Sequence, residues 1–168
     1  MQLQQIDKDT YSKHYKLLFI GVAGLMLAVA LGSSTLMIQL FTDGEGSHFW
    51  LNLAGVVIAA LATGSILRRY RHHPFMHELL YVWQLKQQLN KIYRKQKAIK
   101  SAVEAGDRDA MVIMHFNYQG SRQLYLLDNN TLTLEELDRS IAELDATLQR
   151  HGIEVSLEEY RPELLDKF

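Results

Sequence analysis

A chain of 168 residues has room for one domain and an appendage. It contains no cysteine, which excludes disulfides, thiolate metal sites and a cysteine nucleophile. The net charge of −1 conceals a partition: between Leu17 and Leu67 the only charged residues are Asp43 and Glu45, while the remainder is densely charged.

Residues 1–16 are polar and carry Lys8, Lys13 and Lys16. The run 17–40 has 24 uncharged residues, interrupted only by Ser33, Ser34, Thr35 and Gln39. About 20 apolar residues at a rise of about 1.5 Å span a bilayer core of about 30 Å, so 17–41 is expected to be a first transmembrane helix. A buried soluble helix seldom runs this long without a charge. A cleaved signal peptide has a shorter apolar core, about 7–15 residues, and lacks so long a polar lead.

Residues 42–48 form a glycine-rich acidic turn that includes Gly44, and 49–67 a second expected span of 19 uncharged residues. Lys8, Lys13 and Lys16 precede the first span, Arg68, Arg69 and Arg71 follow the second, and the turn has no Lys or Arg. Both termini are therefore expected in the cytosol. Gly24, Ala28 and Gly32 recur every fourth residue in the first span, as do Gly55, Ala59 and Thr63 in the second. Small residues at this spacing let helices approach closely in lipid, within the hairpin or in a dimer. Neither span carries an ionisable side chain of the kind that proton and ion pathways need.

The segment 68–168 reads as a cytosolic helical domain. Pro74 suits the first position of a long helix that Gly106 ends. Its early part (Phe75, Met76, Leu79, Leu80, Val82, Trp83) is apolar around much of the circumference, fit for a headgroup boundary or for wrapping by other helices. Farther on, Leu85, Leu89, Ile92, Ile99 and Val103 fall at heptad spacing, with Gln96 the polar position. Asp107 can cap the next helix, which Gly120 is expected to bend, and Asp128-Asn129-Asn130 reads as a turn. Thr133 with Glu136 has capping-box spacing ahead of a helix whose stripe is Leu137, Ile141, Leu144 and Leu148 and whose stop is Gly152. Ser156 with Glu159 repeats the box, and Pro162 restarts the terminal segment. Residues 153–157 alternate like a strand but have no partner strand. The expected fold is all-α: a two-helix transmembrane hairpin, then a cytosolic bundle with one long helix continuing from the membrane.

Charge divides again within this domain. From 68 to 100 nine Lys or Arg face Glu78 alone, a surplus of eight positive charges; from 101 to 168 six face fourteen acids, a surplus of eight negative ones. Either the acidic helices neutralise the basic one, or the basic face lies on anionic lipid, where each cation contributes roughly 1 kcal/mol. Lipid is expected for Arg68, Arg69 and Arg71, and intramolecular or partner contact farther along the helix. Nucleic acid is not expected, because the acidic half would repel phosphate.

His72, His73 and His77 are the densest histidine group, and His73 with His77 would share a helical face. Without a matching carboxylate beyond Glu78, they read as interfacial histidines and not as a metal site. His115 reads as a packing residue, and Glu135, Glu136, Asp138 and Glu143 as a solvated face. No phosphate loop, metalloprotease helix or nucleophile elbow occurs. No catalytic residue, metal ligand or cofactor is assigned.

Three segments are familiar: Tyr11-Ser12-Lys13-His14; Pro74-Phe75-Met76-His77-Glu78 through Tyr81-Val82-Trp83-Gln84-Leu85-Lys86-Gln87; and Gly120-Ser121-Arg122-Gln123-Leu124 through Leu127-Asp128-Asn129-Asn130-Thr131. Together the chain resembles a family of bacterial inner-membrane proteins catalogued as a domain of unknown function. The resemblance implies a bacterial inner-membrane location and carries over no activity, cofactor or site residue.

The reading that results is a membrane-anchored, non-enzymatic interaction or assembly module whose partners are anionic lipid and a second copy or another protein. The alternatives are an accessory subunit of a larger membrane complex and a tethered enzyme acting on a lipid or small anionic substrate through Arg122, His115 and Asp128.

Overall fold

The computed structural model describes residues 1–43, 45–130 and 132–168; within the expected external turn and the third familiar segment, Gly44 and Thr131 lie outside the described residues. The chain is all-α, with no strand among the described residues, 153–157 included. It divides into two compact units, Asp9–Leu80 and Met1–Lys8 with Tyr81–Phe168. Residues 1–8 thus pack with Tyr81–Phe168 in one unit, and the rest of the segment before the first apolar run belongs to the other.

In the first unit α1 spans Lys8–Phe41 and α2 spans Phe49–Tyr70. Helix α1 begins nine residues before the apolar run, because 8–16 contain no breaker and Asp9 sits favourably in the first turn. Both helices are long and apolar enough to cross a membrane. Their outer sides carry exposed Leu27, Leu31, Leu36, Val57 and Leu61. A 3₁₀ turn, Pro74–Met76, with Pro74 at its start, precedes α3, His77–Glu104. The long helix proper therefore starts three residues later than proline placement suggests.

In the second unit α3 lies with α4, Arg108–Leu127, and α5, Leu134–His151, followed by 3₁₀ turns at Leu157–Glu159 and Pro162–Lys167. Asp107 caps α4 by accepting from Ala110 N–H at 3.1 Å. Helix α4 is continuous through Gly120, so the expected bend is absent. The glycine serves packing instead: a Cβ there would meet Leu85 and Leu89 of α3, each at 3.2 Å. Asn129, at φ 56°, turns the chain after α4, a left-handed conformation asparagine tolerates.

The expected box at Thr133 does not form. Its backbone is not extended as a capping residue requires (φ −101°, ψ 0°), and its hydroxyl is buried without a partner among the described residues. Gly152 closes α5 in the left-handed region, and the Ser156–Glu159 box is complete. The core is made of Leu85, Ile92, Ile99, Met111, Ile113, Met114 and Phe116, all closed to solvent.

Candidate functional site

The small-residue rows are placed differently in the two apolar helices. Gly55, Ala59 and Thr63 are buried on the α2 face toward α1. The backbones come so close there that a Cβ on Gly55 would stand 2.8 Å from the Ala30 carbonyl. Gly24, Ala28 and Gly32 are exposed, and a Cβ on Gly24 or Gly32 would meet nothing within 4 Å. The contact face of α1 is instead a row through Ala30, Ser33 and Ser34. Ser34 donates its hydroxyl to Asn52 Oδ1 of α2, and Ser33 donates to Val29 O at 2.6 Å. The signal for this row was in the sequence, since 30, 33 and 34 are small at helical spacing. Thr63 Oγ1 is buried with no partner among the described residues.

The heptad positions of α3 lie in the second unit's own core: Leu85, Leu89, Ile92 and Ile99 are buried and Val103 half-buried. On α5, Leu137, Leu144 and Leu148 are buried and Ile141 half-buried. Most of this seam is thus covered within the unit, with Val103 and Ile141 left partly open.

Two of the familiar segments meet in the first unit. The His14 ring lies 4.3 Å from that of Phe75, and His14 Nδ1 stands 3.2 Å from Glu78 Oε2. In the second unit Tyr81 joins the rest of the second segment to the third. Gln4 N–H donates to Tyr81 Oη at 2.9 Å, Tyr81 donates to Gln123 Oε1 at 2.8 Å, and Gln123 Nε2 donates to Gln4 O. This closed cycle of hydrogen bonds holds the first residues of the chain on α3 and α4. Burial pushes the Tyr81 hydroxyl's pKa up, against those two partners.

The last fifteen residues are pinned by side chains that the sequence pattern did not single out. Tyr160 stacks on Phe116 at 3.8 Å and accepts from Gln88 Nε2 of α3 at 2.5 Å. Burial raises its pKa to about 12. Lys95 donates to Leu165 O at 2.7 Å, and Lys167 bridges Asp107 and Asp109 at 2.6 and 3.0 Å. The bond from Lys167 holds the Asp107 carboxyl below its ordinary pKa.

The residues considered for chemistry are held apart. Arg122 pairs with Asp138 at 3.3 Å and Asp128 with Lys86 at 2.8 Å. His115 lines an open cleft of about 570 Å³ with Asp145 and Glu154, and neither Arg122 nor Asp128 borders it. Burial lowers the His115 pKa and Asp145 partly restores it.

His73 has an extended backbone and accepts from Phe75 N–H, so it shares no helical face with His77. His72 accepts from Arg71 Nε. Among the described residues no three His, Asp or Glu gather as a metal would require.

Charge between the two halves of the second unit is hardly cancelled by contact. One ion pair, Lys86–Asp128, joins α3 to a carboxylate of the acidic half; the other pairs there are internal to that half (Arg108–Glu159 at 2.6 Å, Arg122–Asp138, Lys167 with Asp107 and Asp109). Lys91, Arg94, Lys97 and Lys100 make no ion pair among the described residues. Arg68, Arg69 and Arg71 are exposed at the end of α2.

An all-α protein with a long apolar helical hairpin and a separate charged helical unit is the class defined by this fold. The chain belongs to the family described as Protein of unknown function (DUF3087), whose profile matches residues 1–165. No curated protein and no solved structure matches it.

Proposed function

We propose that the chain is a membrane-anchored, non-enzymatic helical module at the cytosolic face of a bacterial inner membrane. The observation that carries this reading is the surface of the hairpin: long apolar side chains point outward along both helices, while its buried face holds small residues. Such a surface is costly in water and suits hydrocarbon. The flanks agree with it. Phe41, Phe49 and Trp50 are exposed at one end and Tyr15 and Tyr70 at the other, as aromatic belts are. Arg68 and Arg69, in the last turn of α2, support a cytosolic side for the second of these ends.

The test uses a chain with no native cysteine. A single Ser47→Cys should react with an impermeant maleimide on intact spheroplasts, and Ser101→Cys only after permeabilisation. The reverse pattern would overturn the orientation. A chain monodisperse without detergent would overturn the anchoring.

The exposed row Gly24, Ala28 and Gly32 supports a second element of the reading: another membrane helix packs there, from a second copy or from a larger complex. Gly24→Leu with Gly32→Leu should reduce the mass of the nanodisc-embedded assembly, and a monomer before and after substitution would remove this element.

A further inference from the structure

One side of α3 is spent on the core; on the other, Trp83, Gln87 and Lys91 border a cleft with Met1–Gln4, and no carboxylate among the described residues lines it. At about 100° per residue the side opposite Leu85, Ile92 and Ile99 carries Trp83, Gln87, Asn90, Arg94 and Lys97, flanked by Lys91. All six are exposed. Lys86 and Lys95 are engaged within the chain, but Lys91, Arg94 and Lys97 have no acid beside them among the described residues. Trp83 stands 59% exposed on this same side. An exposed indole leaves apolar area in water, and indole and cations both find partners where phosphate and acyl chain meet.

We propose that this face docks on anionic lipid headgroups, with Trp83 seated at headgroup level and Lys91, Arg94 and Lys97 against phosphate. The inference rests on the membrane anchoring argued above, which tethers α3 near such a surface and makes docking intramolecular. A second copy could offer carboxylates from α5. However, the exposed side of α5 presents Glu135, Glu136, Asp138 and Glu143 with no large apolar residue to receive the indole. A bilayer supplies both chemistries at one depth.

The experiment uses the full chain with Trp50→Phe, which leaves Trp83 as the one tryptophan of the two in the sequence. It is placed in nanodiscs of zwitterionic lipid, with or without phosphatidylglycerol, whose acyl chains are brominated near the headgroup. Trp83 emission should be quenched when phosphatidylglycerol is present and recover in molar salt, where screening lengths fall to about 3 Å. K91Q/R94Q/K97Q should weaken docking on the order of a hundredfold, three cations' worth, and abolish the quenching.

Equal emission in the two lipids, or quenching untouched by both salt and the triple substitution, would overturn the inference while leaving the anchoring intact. A doubling of mass in the nanodisc that the triple substitution removes would assign the face to a second copy and overturn the lipid. Failure of the chain to enter nanodiscs would overturn the anchoring itself.

Discussion

The two compact units solve packing in opposite ways. Along the two apolar runs of Asp9–Leu80 the buried face is narrow and made of Gly55, Ala59, Ser34 and Thr63, while large apolar residues such as Leu27, Leu31 and Leu61 point outward. In the unit completed by Tyr81–Phe168 the large residues, Phe116, Ile92, Ile99 and Met111, are inside, and the charges are outside. Where water is the solvent, burying apolar volume drives folding. Where hydrocarbon is the proposed solvent, burial of apolar area gains little, and close backbone contact with a few hydrogen bonds takes its place. The difference predicts that equivalent truncations will have unequal effects.

The largest expected effect is Phe116→Ala. This ring is closed to solvent and stacks on Tyr160, so its loss should cost about 3–5 kcal/mol by denaturant unfolding of the full chain in micelles. Leu31→Ala, on the outer side of α1, should change stability by no more than about 0.5 kcal/mol. Equal costs for the two would break the comparison.

Next comes Gly55→Leu, whose side chain must displace the Ala30 and Ser34 backbone. Overpacking of this kind costs about 1–3 kcal/mol, and the helices should separate, as a cross-link between cysteines placed at Ser34 and Asn52, which touch in the hairpin, would report. A third pair concerns sign. Ser34→Ala strands the Asn52 carbonyl oxygen and should destabilise the hairpin by about 1 kcal/mol. Thr63→Val removes a hydroxyl that has no partner among the described residues and should be neutral or stabilising by up to about 1 kcal/mol. Loss of stability in Thr63→Val would mean that its hydroxyl is bonded.

What was legible in the sequence follows the range of the physics involved. The all-α class, two apolar helices, the Asp107 cap and the Gly152 stop depend on neighbours within a few residues, and periodicity and capping chemistry reveal them. Gly120 was misread because a glycine inside a helical pattern looks the same whether it bends the helix or admits a neighbour; Leu85 and Leu89, over thirty positions away, decide. On α1 two rows of small residues compete, and hydropathy cannot tell Gly24, Ala28 and Gly32 from Ala30, Ser33 and Ser34. Asn52 across the hairpin selects the second. The Gln4–Tyr81–Gln123 cycle and the Gln88–Tyr160 bond had no local signature, since glutamine and tyrosine are ordinary surface residues until a distant partner buries them. The charge partition was visible, but its lack of internal pairing was not, because only geometry shows that Lys91, Arg94 and Lys97 stand away from the acids.

The smallest expected effect is a pH dependence seated in the water-facing unit. Burial lowers the His115 pKa in the folded chain, with Asp145 opposing, and Glu154 shares its cleft. A histidine near its ordinary pKa of about 6.5 in the unfolded chain binds more protons there than in the folded one, so stability must rise with pH in this window. The unit should therefore be most stable above about pH 6.5 and weaken as pH falls toward the folded-state value, since protonation then favours unfolding. His115→Gln should flatten that slope. Asp145→Asn should steepen it, because the carboxylate is what partly sustains the imidazolium. Acid unfolding of carboxylates such as Asp107, held below its ordinary pKa by Lys167, runs in the same direction but at lower pH, so the two contributions separate along a titration. The unfolding midpoint followed from pH 8 to pH 5 in the three proteins would show whether that slope belongs to His115; an unchanged slope in His115→Gln would place it elsewhere.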